Sequence, residues 1–304
     1  MYPTLTRFRR MSTLAAILVA LLGFGTPGLA QEPPLKLDVV TGNEGNLFAN
    51  FTLVMGKTDA ILIDAPFTQS EAHRLVAHIL ESGKRLKAVY ITHDHPDHFF
   101  SVDVIAQAFP DAEIVSAPVV VDDIWRSIPL KIRRWGPLLG ANGPRHPFAP
   151  VPLTQDHLEL DGQRLDILGP MQGDHVHATA IYIPSIGALI GGDIIFNKIH
   201  LWLGEATPQA RKAWLASIDR MRALHPRIVV AGHKLPGLPD DDTALAFTRD
   251  YLVAFDAATA ASKTAKELVA RIKARFPDTR DVLDDFILPN SAKVATGEAA
   301  PWTE

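Results

Sequence analysis

The stretch Thr92-His93-Asp94-His95-Pro96-Asp97-His98 packs three imidazoles and two carboxylates between positions 93 and 98. Neutral imidazole nitrogens with carboxylate oxygens suit a borderline divalent ion, zinc above all, which holds them at roughly 2.0–2.2 Å. In an extended segment His93 and His95 fall on the same side and can grip one ion. Asp97 and His98 follow where the chain turns, so they can face a second. A helix N-cap would account for one Asp here, but not for three His beside it.

Three later apolar runs adjoin further ligand-competent residues. Gly173-Asp174-His175-Val176-His177 leads into Ala178–Ile183, Asp193 follows Gly191-Gly192, and His233 follows Ala231-Gly232. Taken singly these signals are weak, since an Asp after two glycines is more often a turn residue. Together they predict that ligands gather at one end of a sheet. His73 and His78, on one helical stretch, and His157 read instead as surface or structural residues.

The elements that must carry these residues follow from periodicity. The runs 37–40, 47–54 and 60–64 read as successive antiparallel strands, and 87–91 is the strand that delivers the first cluster. Ser70–Ser82 and Val102–Ala108 read as helices, 112–116 as a strand and Val119–Arg126 as a helix. From Trp135 to Pro152 the chain is rich in Gly and Pro, which predicts a long surface segment over the mouth of a site. In the second half, strands are expected at 164–168, 178–183, 187–193 and 227–233. Helices are expected at Pro208–Leu224, Thr243–Ala258 and Ser262–Phe276, with a mobile tail from Asn290. Strands followed by helices recur in both halves, without a repeat in the sequence.

Arg7, Arg9 and Arg10 precede the apolar run 14–22, and Gly28-Leu29-Ala30 supplies small residues before Gln31. This is the pattern of a signal peptide over residues 1–30, too short in its apolar part for the ~20 residues of a spanning helix. The expectation is a periplasmic or secreted protein whose residues 31–304 form a single domain, with no stable membrane insertion once the leader is cut. The mature chain would keep 27 basic residues against 34 acidic, a net charge of −7 with His neutral. That balance argues against a nucleic-acid partner and leaves a small-molecule substrate as the expected one. The chain has no Cys, so thiolate ligands and a Cys nucleophile are excluded and any metal must be held by His and carboxylates.

The set as a whole resembles the metallo-β-lactamase-fold hydrolase superfamily, across nearly the whole mature chain. His93, His95, Asp97 and His98 match its HxHxDH signature, and Gly192-Asp193 and Gly232-His233 match its later metal motifs in order. The resemblance implies an α/β (α+β) fold, a four-layer αββα sandwich of two mixed sheets with helices on the outer faces and a centre for two divalent ions, most suitably zinc, along one edge. His93 and His95 would hold the first ion, Asp97, His98 and His233 the second, and Asp193 would bridge them. The third ligand of the first ion departs from the usual pattern: His177 is preferred over Asp174 on ligand type, with His175 third. The implied chemistry is attack by a metal-bridging hydroxide on an ester, lactone, thioester or amide, with Asp97 orienting it and His200 a candidate donor to the developing oxyanion. A lactonase and a β-lactamase are both compatible with these motifs. The alternatives are a single-iron sulfur dioxygenase of the same fold and a secreted metal-binding or ligand-binding protein without turnover.

Overall fold

Six strands, numbered in chain order, form the first sheet: β1 (Lys36–Thr41), β2 (Asn50–Met55), β3 (Asp59–Ile63), β4 (Arg85–Ile91), β5 (Glu113–Ser116) and β6 (Val151–Pro152). The first three pair antiparallel and the rest run parallel from β3 onward. The second sheet holds β7 (His157–Leu160), β8 (Gln163–Met171), β9 (Ala178–Ile183) and β10 (Ala188–Ile190), joined in antiparallel succession. After β11 (Phe196–Asn197) the chain returns through β12 (Ile228–Val230), which pairs parallel to β10 at the edge of the second sheet. Immediately beyond it, β13 (His233–Lys234) pairs parallel to β11.

This computed structural model describes residue 1 and residues 34–303. The expected signal peptide, Met1 apart, and the cleavage point before Gln31 lie outside the described residues. The chain divides into two units, Met1–Glu32 and Pro33–Glu304, and the description concerns the second alone.

Period-two alternation sorts the strand side chains into separate cores. Val54, Ile61, Ile63 and Tyr90 face Leu165, Ile181, Ile183 and Ile190 in a core between the two sheets. Their neighbours Leu53, Leu62, Val89 and Ile91 face outward, beneath the helices α1 (Gln69–Glu81), α2 (Val102–Ala108) and α3 (Pro118–Leu139). On the far side Ala180, Leu189 and Val229 pack under α4 (Pro208–Arg222), α5 (Thr243–Ala260), α6 (Ala265–Arg275) and α7 (Ile287–Ala295). Three cores between four layers make the αββα sandwich. No helix among the described residues is long and apolar enough to cross a membrane.

Three expectations are corrected. Strand β2 starts at Asn50 rather than at position 47, because Leu47 and Phe48 take positive φ values of 57° and 55°. Helix α3 runs on to Leu139 despite Pro129 and Pro137, so the supposed surface segment begins as helix. The buried face Val120, Ile124, Ile128 and Lys131 keeps i, i+4, i+3 spacing past Arg126, and its burial outweighs the roughly 3 kcal/mol that an internal proline costs. Nor is the tail from Asn290 a loose end: Leu288, Ser291 and Ala292 bury one side of α7. Beyond it, the Trp302 backbone N–H donates to the Gly204 carbonyl at 2.9 Å.

Candidate metal centre

Strand direction brings the ligands together. β4 ends at Ile91, just before His93, and β10 and β12, being parallel, both exit toward Asp193 and His233. β9 is antiparallel to β10, so the loop that precedes it, with Asp174, lies at that same end. The two sheets are fastened there: Thr179 donates from its backbone N–H and its hydroxyl to the Thr92 carbonyl, at 3.0 and 2.7 Å.

Two glycines are needed for the close approach. Gly192 has φ +50°, and a Cβ on Gly232 would lie 2.1 Å from Asp193 Oδ1. Any side chain there would displace the carboxylate.

The converging atoms form two groups, His93, His95, Asp174 and Asp193, and Asp97, His98, Asp193 and His233, with ligand atoms within 4.8 Å of one another and all residues buried. Asp193 belongs to both. Its Oδ1 lies 3.0 Å from His98 Nε2 and its Oδ2 lies 3.0 Å from His233 Nε2 and 3.6 Å from His93 Nε2. His95 Nδ1 is 3.0 Å from Asp174 Oδ2, and His233 Nε2 is 3.3 Å from Asp97 Oδ2.

These residues fit metal ions on two observations. His93 Nε2, both Asp174 oxygens and Asp193 Oδ1 are buried without a hydrogen-bond partner among the described residues, a costly arrangement unless an ion takes up their lone pairs. In addition, the remaining nitrogen of three of the four imidazoles is held: His93 Nδ1 meets Thr92 Oγ1 at 3.0 Å, His98 Nδ1 meets Asp64 Oδ2 at 2.9 Å, and His233 Nδ1 donates to the Leu47 carbonyl at 2.8 Å. Metal-binding histidines are oriented in this way, with the outer N–H fixed and the inner nitrogen turned toward the ion.

Charge around the site is tightly compensated. Burial opposes a charge on His98, but Asp193, Asp64 and Asp97 outweigh it and raise its pKa well above the usual value. Burial likewise opposes, and Asp193 and Asp97 overcome it, at His233, raised to about 10. Burial, reinforced by the charges of His98 and His95, lowers His93 to about 4. At Asp97 burial is overcome by His98 and His233, lowering it to about 2. A metal ion entering the site must displace the protons on His98 and His233, so affinity weakens as pH falls.

The preference for His177 is corrected by the geometry. His177 Nδ1 bonds to Asp123 Oδ2 at 2.6 Å, with its side chain 36% exposed, whereas Asp174 is 1% exposed and inside the first group. His175 is also outside, with Nε2 3.3 Å from Asp94 Oδ1. Asp94 faces Lys131, whose Nζ donates to its carboxylate at 2.9 Å and to its carbonyl; burial opposes its charge, yet Lys131, His175 and His95 lower its pKa. α3 thereby clamps the loop that bears the ligands.

Asp64 escaped sequence reasoning. It takes φ 65° at the end of β3, accepts from the Thr92 N–H and hydroxyl at 2.7 and 2.8 Å, and orients His98. A lone Asp closing an apolar strand beside the ligand-bearing one was the available signal.

His95, Asp97, Asp174, Asp193 and His233 floor a pocket that His200 and Glu205 also line. Tyr251 Oη lies 2.8 Å from His200 Nδ1, and burial raises the phenol's pKa, so the hydroxyl keeps its proton and donates it. The neutral ring then carries its own proton on Nε2. Burial first, then the charge of Lys273, lowers His200 to about 4. Because the unfolded value is higher, near 6.5, the unfolded chain binds this proton over the interval between and the folded chain does not. His200 therefore contributes stability above pH ~6.5 that is lost as pH falls toward 4. Between pH 7 and 4.5, wild type is expected to lose about 2–3 kcal/mol more than His200→Gln, measured by urea denaturation of both proteins in the same chelator. Equal losses would show that His200 is not held neutral.

The family model described as the metallo-beta-lactamase superfamily matches residues 45–233. Among solved structures, a metallo-beta-lactamase family protein from Thermus thermophilus is similar at 22% identity, with 88% of this chain and 96% of that chain covered and a TM-score of 0.60. The metallo-beta-lactamase from Pontibacter korlensis is 20% identical over 72% of this chain and 94% of its own, with a TM-score of 0.49. The likeness to the Thermus thermophilus protein speaks for the fold. No curated protein matches the chain.

Proposed function

The chain belongs to the metallo-beta-lactamase superfamily, and on that premise we propose that it is an exported hydrolase that uses two zinc ions to cleave an ester, lactone, thioester or amide, β-lactams included. The observation that carries this reading is the pair of buried ligand groups sharing Asp193, with orphaned donor atoms turned inward and three of the four outer imidazole nitrogens held. Two divalent ions in these groups supply Lewis acidity, lowering the pKa of water and polarising a carbonyl oxygen.

The protein's own groups do the rest. Asp97 borders the pocket, where its carboxylate can orient the attacking water and carry a proton toward the leaving group. His200 offers a neutral Nε2–H to oxygen as negative charge develops there. Phe196, packed parallel to the His233 ring at a centroid distance of 5.1 Å and an angle of 14°, keeps that imidazole in place. Hydrophobic walls keep bulk water from the reacting centre, which strengthens each of these electrostatic effects.

The test is turnover of a panel of lactones, esters and β-lactams by the purified protein. Activity is expected on at least one class, to fall more than about 100-fold on chelation, as expected for loss of essential ions, and to return with zinc. Undiminished activity in metal-free protein would overturn the reading.

A further inference from the structure

Three of the four ligand imidazoles are oriented through their outer nitrogens, and His95 is the exception. Its Nε2 is buried without a hydrogen-bond partner among the described residues. Glu205 Oε1 stands 3.5 Å away and accepts the Trp202 indole N–H at 2.9 Å instead. The orientation of the His95 ring therefore rests on its loop and on the rings packed against it. Lys131 is placed to hold that loop. It lies on the buried face of α3 with Val120, Ile124 and Ile128, and is 1% exposed. Its Nζ sits 5.7 Å from the centre of the Phe99 ring. The same Nζ donates to both the carbonyl and the carboxylate of Asp94, the residue between His93 and His95.

The Asp94 carboxylate also reaches the other side of the first ligand group. Oδ2 takes the Lys131 ammonium at 2.9 Å, and Oδ1 faces His175 Nε2 at 3.3 Å. His175 Nδ1 accepts the His177 backbone N–H at 3.2 Å, which leaves the ring proton on Nε2, toward Asp94. His175 follows Asp174 in the chain, and its ring meets the His95 ring edge-on at 5.7 Å. One carboxylate thus joins α3, the loop of His93 and His95, and the loop of Asp174. The second group has a separate fastening in Asp64, which grips Thr92 and orients His98. A buried ion pair contributes little net stability, because desolvation of both charges offsets their attraction. An apolar residue would continue the buried face of α3 as well, so a lysine at this position is explained by what it holds.

We infer that Lys131 is a positioning residue for the first ion: through Asp94 it sets His95 against Asp174, as Asp64 sets His98 in the second group. The inference rests on the reading that the two ligand groups hold ions, and it is independent of the reaction they serve. Loss of Lys131 therefore weakens one ion and spares the other.

Two backgrounds isolate the groups. His233→Ala leaves His93, His95, Asp174 and Asp193 to hold an ion, and Asp174→Ala leaves Asp97, His98, Asp193 and His233. Zinc affinity is read in each by competition with a chromophoric chelator, with and without Lys131→Met. That substitution is expected to weaken zinc about 10- to 100-fold in the His233→Ala protein and by less than about 3-fold in the Asp174→Ala protein. A merely structural role would weaken both alike, or neither. Lys131→Met by itself leaves the Asp94 carboxylate buried without its cation, so the pair Lys131→Met with Asp94→Leu supplies a second test that removes both charges together. This variant is expected to regain stability against urea while its zinc affinity in the His233→Ala background stays at least about 10-fold down, since the bond to the carbonyl of residue 94 is still missing. Equal losses in the two backgrounds, no loss in either, or affinity that returns together with stability would overturn the inference. Failure of both backgrounds to bind zinc with Lys131 in place would remove the metal centre itself, and the inference with it.

Discussion

Replacing Asp193 by Asn is expected to lower turnover by about 10,000-fold or more and to leave neither ligand group able to retain its ion through gel filtration. The amide keeps the volume of the side chain and removes its charge. Asp193 is the one residue common to both groups, with its two oxygens 3.0 Å from His98 and from His233. Losses of residues that merely orient a ligand cost 10- to 100-fold in metal affinity, so removing the anionic ligand costs at least about 100-fold in each group, and the two losses compound. Circular dichroism should show an intact fold, because the three cores that hold the sandwich lie in its layers rather than at this edge. Turnover within about 10-fold of wild type would remove Asp193 from the centre of the account.

Asp174→Ala and His177→Ala are expected to behave oppositely. Asp174 is buried, with both oxygens lacking a hydrogen-bond partner and Oδ2 3.0 Å from His95 Nδ1. Its loss strips one ligand from the first group and leaves Asp97, His98, Asp193 and His233 in the second. The variant should retain one ion, with turnover down by about 100-fold or more. His177 is bound to Asp123 at the surface, so its loss should leave both ions in place and cost at most about 1 kcal/mol of stability. Metal analysis and turnover of the two proteins check this. If His177→Ala rather than Asp174→Ala sheds an ion, the third ligand of the first group has been misassigned.

That pair also shows where the chain speaks for itself. The cluster from His93 to His98 is legible because ligand spacing within one loop is local, and strand alternation fixes which side chains point together. Asp193 and His233 were legible from the glycines that precede them, since a backbone that must come so close tolerates no side chain. The choice among Asp174, His175 and His177 was not legible. Ligand chemistry favours His, but the loop sends His177 outward to Asp123 and turns Asp174 inward, and that fold of the loop depends on non-local contacts such as Asp174 N–H to the Asp193 carbonyl at 3.2 Å. Asp64 was hidden for the same reason, because its role arises only when β3 lies alongside β4. In the fold, the 3.6-residue period revealed most helices. Composition misled at α3, where Gly and Pro disguised a helix whose buried face continues to Lys131, and at the tail, where an aromatic contact from Trp302 to Trp202 and Phe286 lies far from any local signal.

The central claim is that two ligand groups sharing Asp193 hold two ions. Metal content per chain, measured by inductively coupled plasma mass spectrometry on protein loaded with zinc and freed of excess, tests it most directly. About two zinc ions per chain in wild type, one in Asp174→Ala and fewer than one in Asp193→Asn is the result this account predicts. One iron and no zinc in the protein as isolated would point to oxidation rather than hydrolysis, and a stoichiometry unchanged by either substitution would contradict the shared centre itself.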